Sequence, residues 1–294
     1  MIDDVRIPCR GEQLAAHVYR PGAARGDAPC VVMGHGFSGT RADGLPGYAE
    51  AFRDAGFVVV VFDYRHFGDS TGEPRQLLDI ARQLDDYRTV VEWARGLDGV
   101  DPDRIVLWGT SYSGGHVLTL AAADARIAAV IAQGPYADSI ATVRCVAPRN
   151  LARFVVEGLR DQLGAWLGRP PRLVPAVGAP GTFAVITAPG YQSDFEAVLG
   201  PESKWRNEFA ARLMLKFAFY RPGLKAKHVK MPLLITVCDQ DAITPAAPAV
   251  KAAGRAPRAE LRRYPYRHFD IYRDPQAKAD QVAFLQRAVP GVSA

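Results

Sequence analysis

Residues 104–123 read RIVLWGTSYSGGHVLTLAAA. Ile105 to Trp108 is a short run of bulky apolar side chains, as a strand buried on both faces requires. Val117 to Ala123 is rich in Leu and Ala, which favour helix. Between them stands Gly109-Thr110-Ser111-Tyr112-Ser113-Gly114, so the chain passes from strand to helix within a few residues, with the helix beginning near Gly115. A serine at such a turn is lifted above the sheet in strained backbone, provided the residues two before and two after it are small. Gly109 meets that demand and Ser113 is nearly as small, although glycine is the commoner residue at the latter place. The turn by itself leaves two roles open for Ser111, a nucleophile or a helix N-cap whose hydroxyl accepts backbone N–H bonds. Ser113 is the better capping candidate of the two serines.

Outward from this stretch the same alternation repeats. CVVM (30–33), FVVVVF (57–62), AAVIAQ (128–133) and PLLITVC (232–238) are further apolar runs, bounded by Gly, Asp or Pro. Helical patterns at 46–55, 79–96 and 114–124 separate them. In the second, Ile80, Leu84, Tyr87, Val91 and Ala94 recur at spacings of three and four and give one apolar face. The pattern predicts an α/β fold with a mostly parallel, doubly wound sheet. DVRIP and LAAHVYRP, near the N-terminus, read as an antiparallel hairpin at the sheet edge. The alternation stops over 136–225, where GRPPRLVPAVGAPG (168–181) and TAPGY (187–191) lie between helical candidates at 146–166 and 202–219. That segment reads as an inserted helical cap over a core made of 1–135 and 226–294. Its ten aromatics from Phe154 to Tyr220 are expected mainly to pack cap on core, with some lining an apolar pocket.

Two further elements can be set against the serine turn. After CVVM comes Gly34-His35-Gly36-Phe37, where the Phe37 N–H could join the Tyr112 N–H in holding a developing oxyanion. His35 reads as a structural hydrogen-bonding residue. In FDYRHFGDSTGEP (62–74), Asp63 precedes the serine turn and reads as a loop-holding residue, with Arg65 and His66 as pocket candidates. In folds with this turn the acid and base follow the nucleophile in the order Ser, Asp or Glu, His. His17, His35 and His66 lie upstream of Ser111, His116 within the following helix, and His228 before the last long strand. Only His268 follows that strand, so it is the candidate base. Asp239 and Asp241 both follow PLLITVC; Asp239 stands at the strand exit and suits a turn, which makes Asp241 the candidate acid. An imidazole is needed because a serine hydroxyl is a poor nucleophile until a neighbour takes its proton, and the carboxylate fixes the imidazole tautomer.

Together HGF, DYRHFGDSTGEP, GTSYSGG, CDQDAITP and RHFDIY resemble the α/β-hydrolase superfamily, in the branch with dienelactone-hydrolase-like and Xaa-Pro-peptidase-like core domains. The resemblance covers 1–135 and 226–294 and leaves 136–225 unmatched. It implies the α/β-hydrolase fold and acyl transfer through an acyl-serine, with Ser111, Asp241 and His268 as catalytic residues and the Phe37 and Tyr112 amides as oxyanion hole. It also implies no metal or organic cofactor. Fungal polyketide transferases belong to the same branch, so an acyltransferase or thioesterase of secondary metabolism is the alternative to a simple esterase. Peptidase activity fits less well, because the large extra domains of such peptidases are missing. A non-catalytic binding protein would have a damaged triad, and here each position is filled. The aromatic cap points to an ester or thioester with an apolar or aromatic acyl part.

Composition narrows the remaining classes. With 294 residues, 48% hydrophobic and 23% charged, the chain can bury a full core. Lys and Arg exceed Asp and Glu by five, 36 against 31. These charges are dispersed without a basic stripe, which argues against nucleic acid as a partner. Cys9, Cys30, Cys145 and Cys238 have neither metal-ligand nor disulfide-framework spacing. The first residues lack a basic start and apolar core, and no run reaches about 18 apolar residues. The expectation is a cytoplasmic enzyme of a small-molecule acyl substrate, without membrane or nucleic-acid partner, and with a homodimer left open.

Overall fold

The apolar runs lie side by side in one sheet. The computed structural model describes residues 2–22 and 27–290. In chain order its elements begin β1 (Ile2–Cys9), β2 (Glu12–Tyr19), β3 (Ala28–Gly34), α1 (Pro46–Asp54), β4 (Val58–Phe62), α2 (Ile80–Arg95), β5 (Val100–Thr110), α3 (Tyr112–Ala121) and β6 (Ala129–Gln133). The stretch between β6 and the next long strand holds α4 (Ser139–Val143), α5 (Pro148–Trp166), β7 (Leu173–Val174), α6 (Tyr191–Glu196), β8 (Phe209–Ala210) and α7 (Met214–Phe217). The chain then returns through β9 (Leu233–Cys238), α8 (Ala246–Ala253), β10 (Ala259–Tyr264) and α9 (Pro275–Ala288).

The sheet has eight strands in the order β1-β2-β4-β3-β5-β6-β9-β10. The β1–β2 hairpin is antiparallel and joins β4 antiparallel; from β4 to β10 neighbours run parallel. Every residue of β3, β4, β6 and β9 is buried, which is why these strands read as continuous apolar runs. Register aligns Gly34 of β3 with Gly109 of β5, and Gln133 of β6 with Thr110 of β5 and Thr236 of β9. The carboxyl ends therefore share one level, and the loops after β3, β5, β6, β9 and β10 open on the same edge of the sheet. A chain of buried side-chain hydrogen bonds runs beneath that edge. Trp108 Nε1 donates to Gln281 Oε1 (2.7 Å), and Gln281 Nε2 donates to Gln133 Oε1 (2.7 Å), fastening α9 to the sheet.

Four features differ from the sequence reading. Helix α3 starts at Tyr112 and not near Gly115, because the turn after β5 is completed within one residue. Strand β10, AELRRY, was not expected; it is an edge strand whose arginines face solvent, so it has no apolar run to betray it. The helix expected over 202–219 is reduced to α7 and a short 3₁₀ turn at Ala211–Leu213. There the buried Asp161 of α5 accepts from the Arg212 N–H (2.8 Å) and guanidinium (2.8 and 3.0 Å), which holds the chain across α5. The inward face of α2 also buries Gln83 and Asp86, and the Asp86 carboxylate takes the Arg65 N–H (2.9 Å) and guanidinium.

Two buried histidines give the fold a pH dependence. His116 Nε2 lies 3.0 Å from Gln83 Oε1, which can only accept, so Nε2 carries the hydrogen and Nδ1 accepts from Tyr220 Oη at 2.8 Å. Burial pushes its pKa down to about 3, and burial likewise lowers His66 to about 4. An unfolded histidine titrates near 6.5, so from there downward the unfolded state binds more protons and stability falls as pH falls. The loss is complete only below the folded values. His66 alone corresponds to roughly 3 kcal/mol. Thermal melting is expected to drop steadily between pH 6.5 and 4; a melting temperature constant across that range would contradict this.

Candidate active site

The turn after β5 leaves no room for side chains on its flanks. A Cβ on Gly109 would stand 2.2 Å from the Ser113 carbonyl oxygen, and one on Gly34 would meet Tyr64 Oη at 2.6 Å. Gly109→Ala is accordingly expected to cost about 3 kcal/mol by overpacking backbone on backbone, to be read from urea unfolding. Ser111 adopts φ +54°, ψ −114°, a strained region for a residue with a Cβ. It is fixed there by its N–H donating to Gln133 O (2.8 Å) and its carbonyl accepting from Tyr136 N (2.8 Å).

Neither serine is a cap. Ser111 precedes α3 but makes no side-chain cap bond. Ser113 lies already inside the helix, where its Oγ donates to His35 O (2.5 Å) and accepts from Tyr64 Oη (2.6 Å). Its hydroxyl thus ties α3 to the loop after β3, a task glycine at that position could not perform.

Asp241 and His268 meet across the loops after β9 and β10. Asp241 Oδ1 accepts from the Ile243 and Thr244 N–H groups, both at 2.8 Å, which orients the carboxylate. Its Oδ2 accepts from Thr244 Oγ1 (2.8 Å) and His268 Nδ1 (2.5 Å). With the proton on Nδ1, Nε2 is the unprotonated nitrogen. Thr244 was not singled out from sequence, although its place three residues after Asp241 is the spacing at which an Asp side chain closes a turn. His268 is buried and Ser111 nearly so, and both line one cavity. Among the described residues Ser111 Oγ has no hydrogen-bond partner, so the link from imidazole to hydroxyl is open in this form.

The other wall of the cavity is the loop after β3. A Cβ on Gly36 would lie 3.2 Å from Ser111 Cβ, so the Gly36–Phe37 backbone runs directly against the serine. Among the described residues, the Phe37 and Tyr112 N–H groups donate to no other backbone group outside α3. His35 serves this loop: Nδ1 donates to Gly36 O (3.0 Å), and burial lowers its pKa. Asp43, also unremarked in the sequence, lines the cavity near Thr40, whose N–H and hydroxyl it accepts.

The remaining candidates lie elsewhere. Asp63 accepts from the Arg41 N–H (2.7 Å), the Arg41 guanidinium and the Asp69 N–H (3.0 Å), and so holds its loop. Asp239 faces outward and takes the Arg263 guanidinium (2.9 and 3.1 Å). Arg65 and His66, read as pocket candidates, do not line the cavity that holds Ser111. Arg65 is consumed by Asp85 and Asp86, and His66 packs by Gly72 and Arg82, because the loop they occupy turns towards α2.

The cavity holds about 50 Å³ and is walled largely by apolar groups, among them Phe37, Tyr112, Val185, Ile186, Phe217 and Phe269. Phe195 and Phe217 are the aromatics between Phe154 and Tyr220 that reach it. Phe154 and Phe209 are fully buried in packing, whereas Trp166 and Phe219 are 74% and 81% exposed and contribute to neither role.

Residues 10–166 match the model of the family described as X-Pro dipeptidyl-peptidase (S15 family). The chain belongs to this family of α/β hydrolases. The quorum-quenching protein AidA of Acinetobacter baumannii (strain MDR-ZJ06) is 39% identical over 290 residues, covering 98% of this chain and 95% of the relative. A polyketide transferase of Stachybotrys chlorohalonatus is 37% identical over 173 residues, 58% of this chain and 55% of that one. In fold the chain superposes on the α/β hydrolase GrgF from Penicillium sp. sh18 with a TM-score of 0.86 at 22% identity, covering 99% and 100% of the two chains. The protein is an α/β-hydrolase-fold enzyme, as its motifs implied. Among the described residues no helix is long and apolar enough to cross a membrane.

Proposed function

We propose that this S15-family enzyme is a serine esterase or thioesterase in which Ser111 is the nucleophile, His268 the base and Asp241 the acid. The observation that carries the reading is the Asp241–His268 Nδ1 hydrogen bond facing the same apolar cavity as the strained Ser111. Substrate entry draws Ser111 Oγ to His268 Nε2, a contact that commonly tightens only in the complex. The imidazole takes the hydroxyl proton as Oγ bonds to the acyl carbon, and the carbonyl electrons move to oxygen. The Phe37 and Tyr112 N–H groups stabilise that oxyanion. Collapse expels the alcohol or thiol, which receives the proton from His268, and water resolves the acyl-serine by the same steps.

The substrate is a small-molecule ester or thioester with an apolar acyl part, since the cavity offers little else for binding. Hydrolysis is favoured over transfer because the relative that matches along nearly the whole chain is named for quorum quenching and not as a transferase. Transfer to a second acceptor is the other reading, supported by the transferase relatives over about half the chain. Four free cysteines, three of them buried, fit the reducing cytoplasm.

Intact-protein mass spectrometry after fluorophosphonate treatment, with peptide mapping, tests the assignment. A single adduct on Ser111 together with p-nitrophenyl ester turnover is the expected result. An adduct without turnover would favour a transferase lacking its acceptor, and a folded protein without adduct would sink the reading. The narrow cavity also sets an order among substrates: acetyl and butyryl esters should turn over faster than decanoyl and longer ones. A rise of kcat/KM with chain length would show that the cavity is not the acyl site.

A further inference from the structure

Helix α6 belongs to the stretch inserted between β6 and β9, yet it also contacts the two loops that carry Asp241 and His268. The Tyr191 hydroxyl donates to the Gln240 carbonyl (3.1 Å) and accepts from the Ala242 N–H (2.8 Å), spanning the backbone on either side of Asp241. Its ring lies beneath the guanidinium of Arg267, with Cζ 4.5 Å from the ring centroid, and Arg267 immediately precedes His268. The same guanidinium pairs with Asp194 of α6 (3.0 Å) and donates to Pro189 O (2.5 Å). Gly190, at φ +81°, opens the space for it: a Cβ there would stand 2.8 and 2.9 Å from the guanidinium nitrogens. Tyr191 is buried but does not line the cavity, so these contacts do not touch substrate.

We propose that α6 is a clamp for the acid–base pair, in which Tyr191 and Arg267 are positioning residues. Tyr191 fixes the backbone that presents the Asp241 carboxylate, Arg267 fixes the backbone that presents the His268 ring, and α6 holds the two in register. The inference rests on the reading of Ser111, Asp241 and His268 as triad. Its physical basis is the steep dependence of reaction on placement, where a displacement near 1 Å costs about 100-fold. A helix that merely stabilised the insertion would leave the chemistry of the folded enzyme unchanged.

The experiment compares the pH dependence of the fluorophosphonate labelling rate, and kcat and KM on p-nitrophenyl butyrate, for wild type, Tyr191→Phe, Arg267→Gln and the double variant. Tyr191→Phe keeps the ring under Arg267 and removes only the hydroxyl. Each single variant should label Ser111 about 10-fold more slowly, lose kcat to a similar degree with KM within twofold, and shift the pH of half-maximal rate. The double variant should lose less than the product of the two, because both act on one alignment. Fold is checked by melting, and rates are referred to the folded fraction. A folded Tyr191→Phe and Arg267→Gln with the wild-type rate and pH profile would overturn the clamp while leaving the triad standing. So would losses that vanish on correction for folded fraction. Absence of labelling in the wild type would overturn the triad reading and the clamp with it.

Discussion

Replacing Ser111 by Ala is expected to lower kcat on activated esters by about 10⁶-fold and to abolish fluorophosphonate labelling. The fold should survive the change. The strain at φ +54° is set by the presence of a Cβ, which alanine shares, and the backbone bonds to Gln133 and Tyr136 do not involve the side chain. Only Oγ is lost, and among the described residues it holds no hydrogen bond whose removal would destabilise the protein. Melting temperature should therefore stay within a degree or two while activity disappears. Residual turnover above the buffer rate would measure what the Phe37 and Tyr112 amides and the apolar cavity achieve without a nucleophile. Ester hydrolysis undiminished in Ser111→Ala would exclude this serine and move attention to another group in the cavity.

Asp241→Asn should reduce kcat by about 10⁴-fold with its loop intact. The oxygen that accepts the Ile243 and Thr244 N–H groups can remain in place, so the turn persists. The other oxygen becomes an amide nitrogen facing His268 Nδ1, and a donor there favours the tautomer with its proton on Nε2. That nitrogen can then no longer accept from Ser111. Asp239→Asn is the matching control: its carboxylate serves Arg263 at the surface, and activity should stay within twofold. Equal losses in the two variants would show that charge near β9, and not the bond to His268, is what matters.

Legibility in the sequence followed burial. Strands enclosed on both faces had to be continuous apolar runs, so β3, β4, β5, β6 and β9 could be located to within a residue or two over their apolar parts. Strand β10 escaped because an edge strand can carry Arg262 and Arg263 without burying charge. The start of α3 was misplaced for a local reason: propensity favours Leu and Ala, whereas the helix is begun by the backbone geometry of Ser111. At the site, the order of residues along the chain pointed to Asp241 and His268, which the structure joins by a hydrogen bond. Ser113 was misread because its hydroxyl serves a residue 78 positions away, His35, and not its own helix. Tyr191 was silent for the same reason, as its contacts depend on which loops the sheet brings together, whereas Thr244, three residues after Asp241, carried a local turn signal that was passed over. Arg65 and His66 were overestimated because a polar loop residue looks alike whether it faces a pocket or a neighbouring helix.

The order of the strands has a consequence for how the chain becomes competent. Ser111 comes with β5, but Asp241 and His268 follow β9 and β10; β9 pairs with β6, and β10 with β9, only after the chain has travelled through some hundred intervening residues. A partly folded molecule with β1 to β6 assembled would own a well-formed serine turn and no base to activate it. Such long-range pairing is also the slow part of building a sheet. With the proposed triad, catalysis is a late property of the nascent protein, and regain of ester turnover during refolding is expected to report closure of the whole sheet, where recovery of helical signal does not.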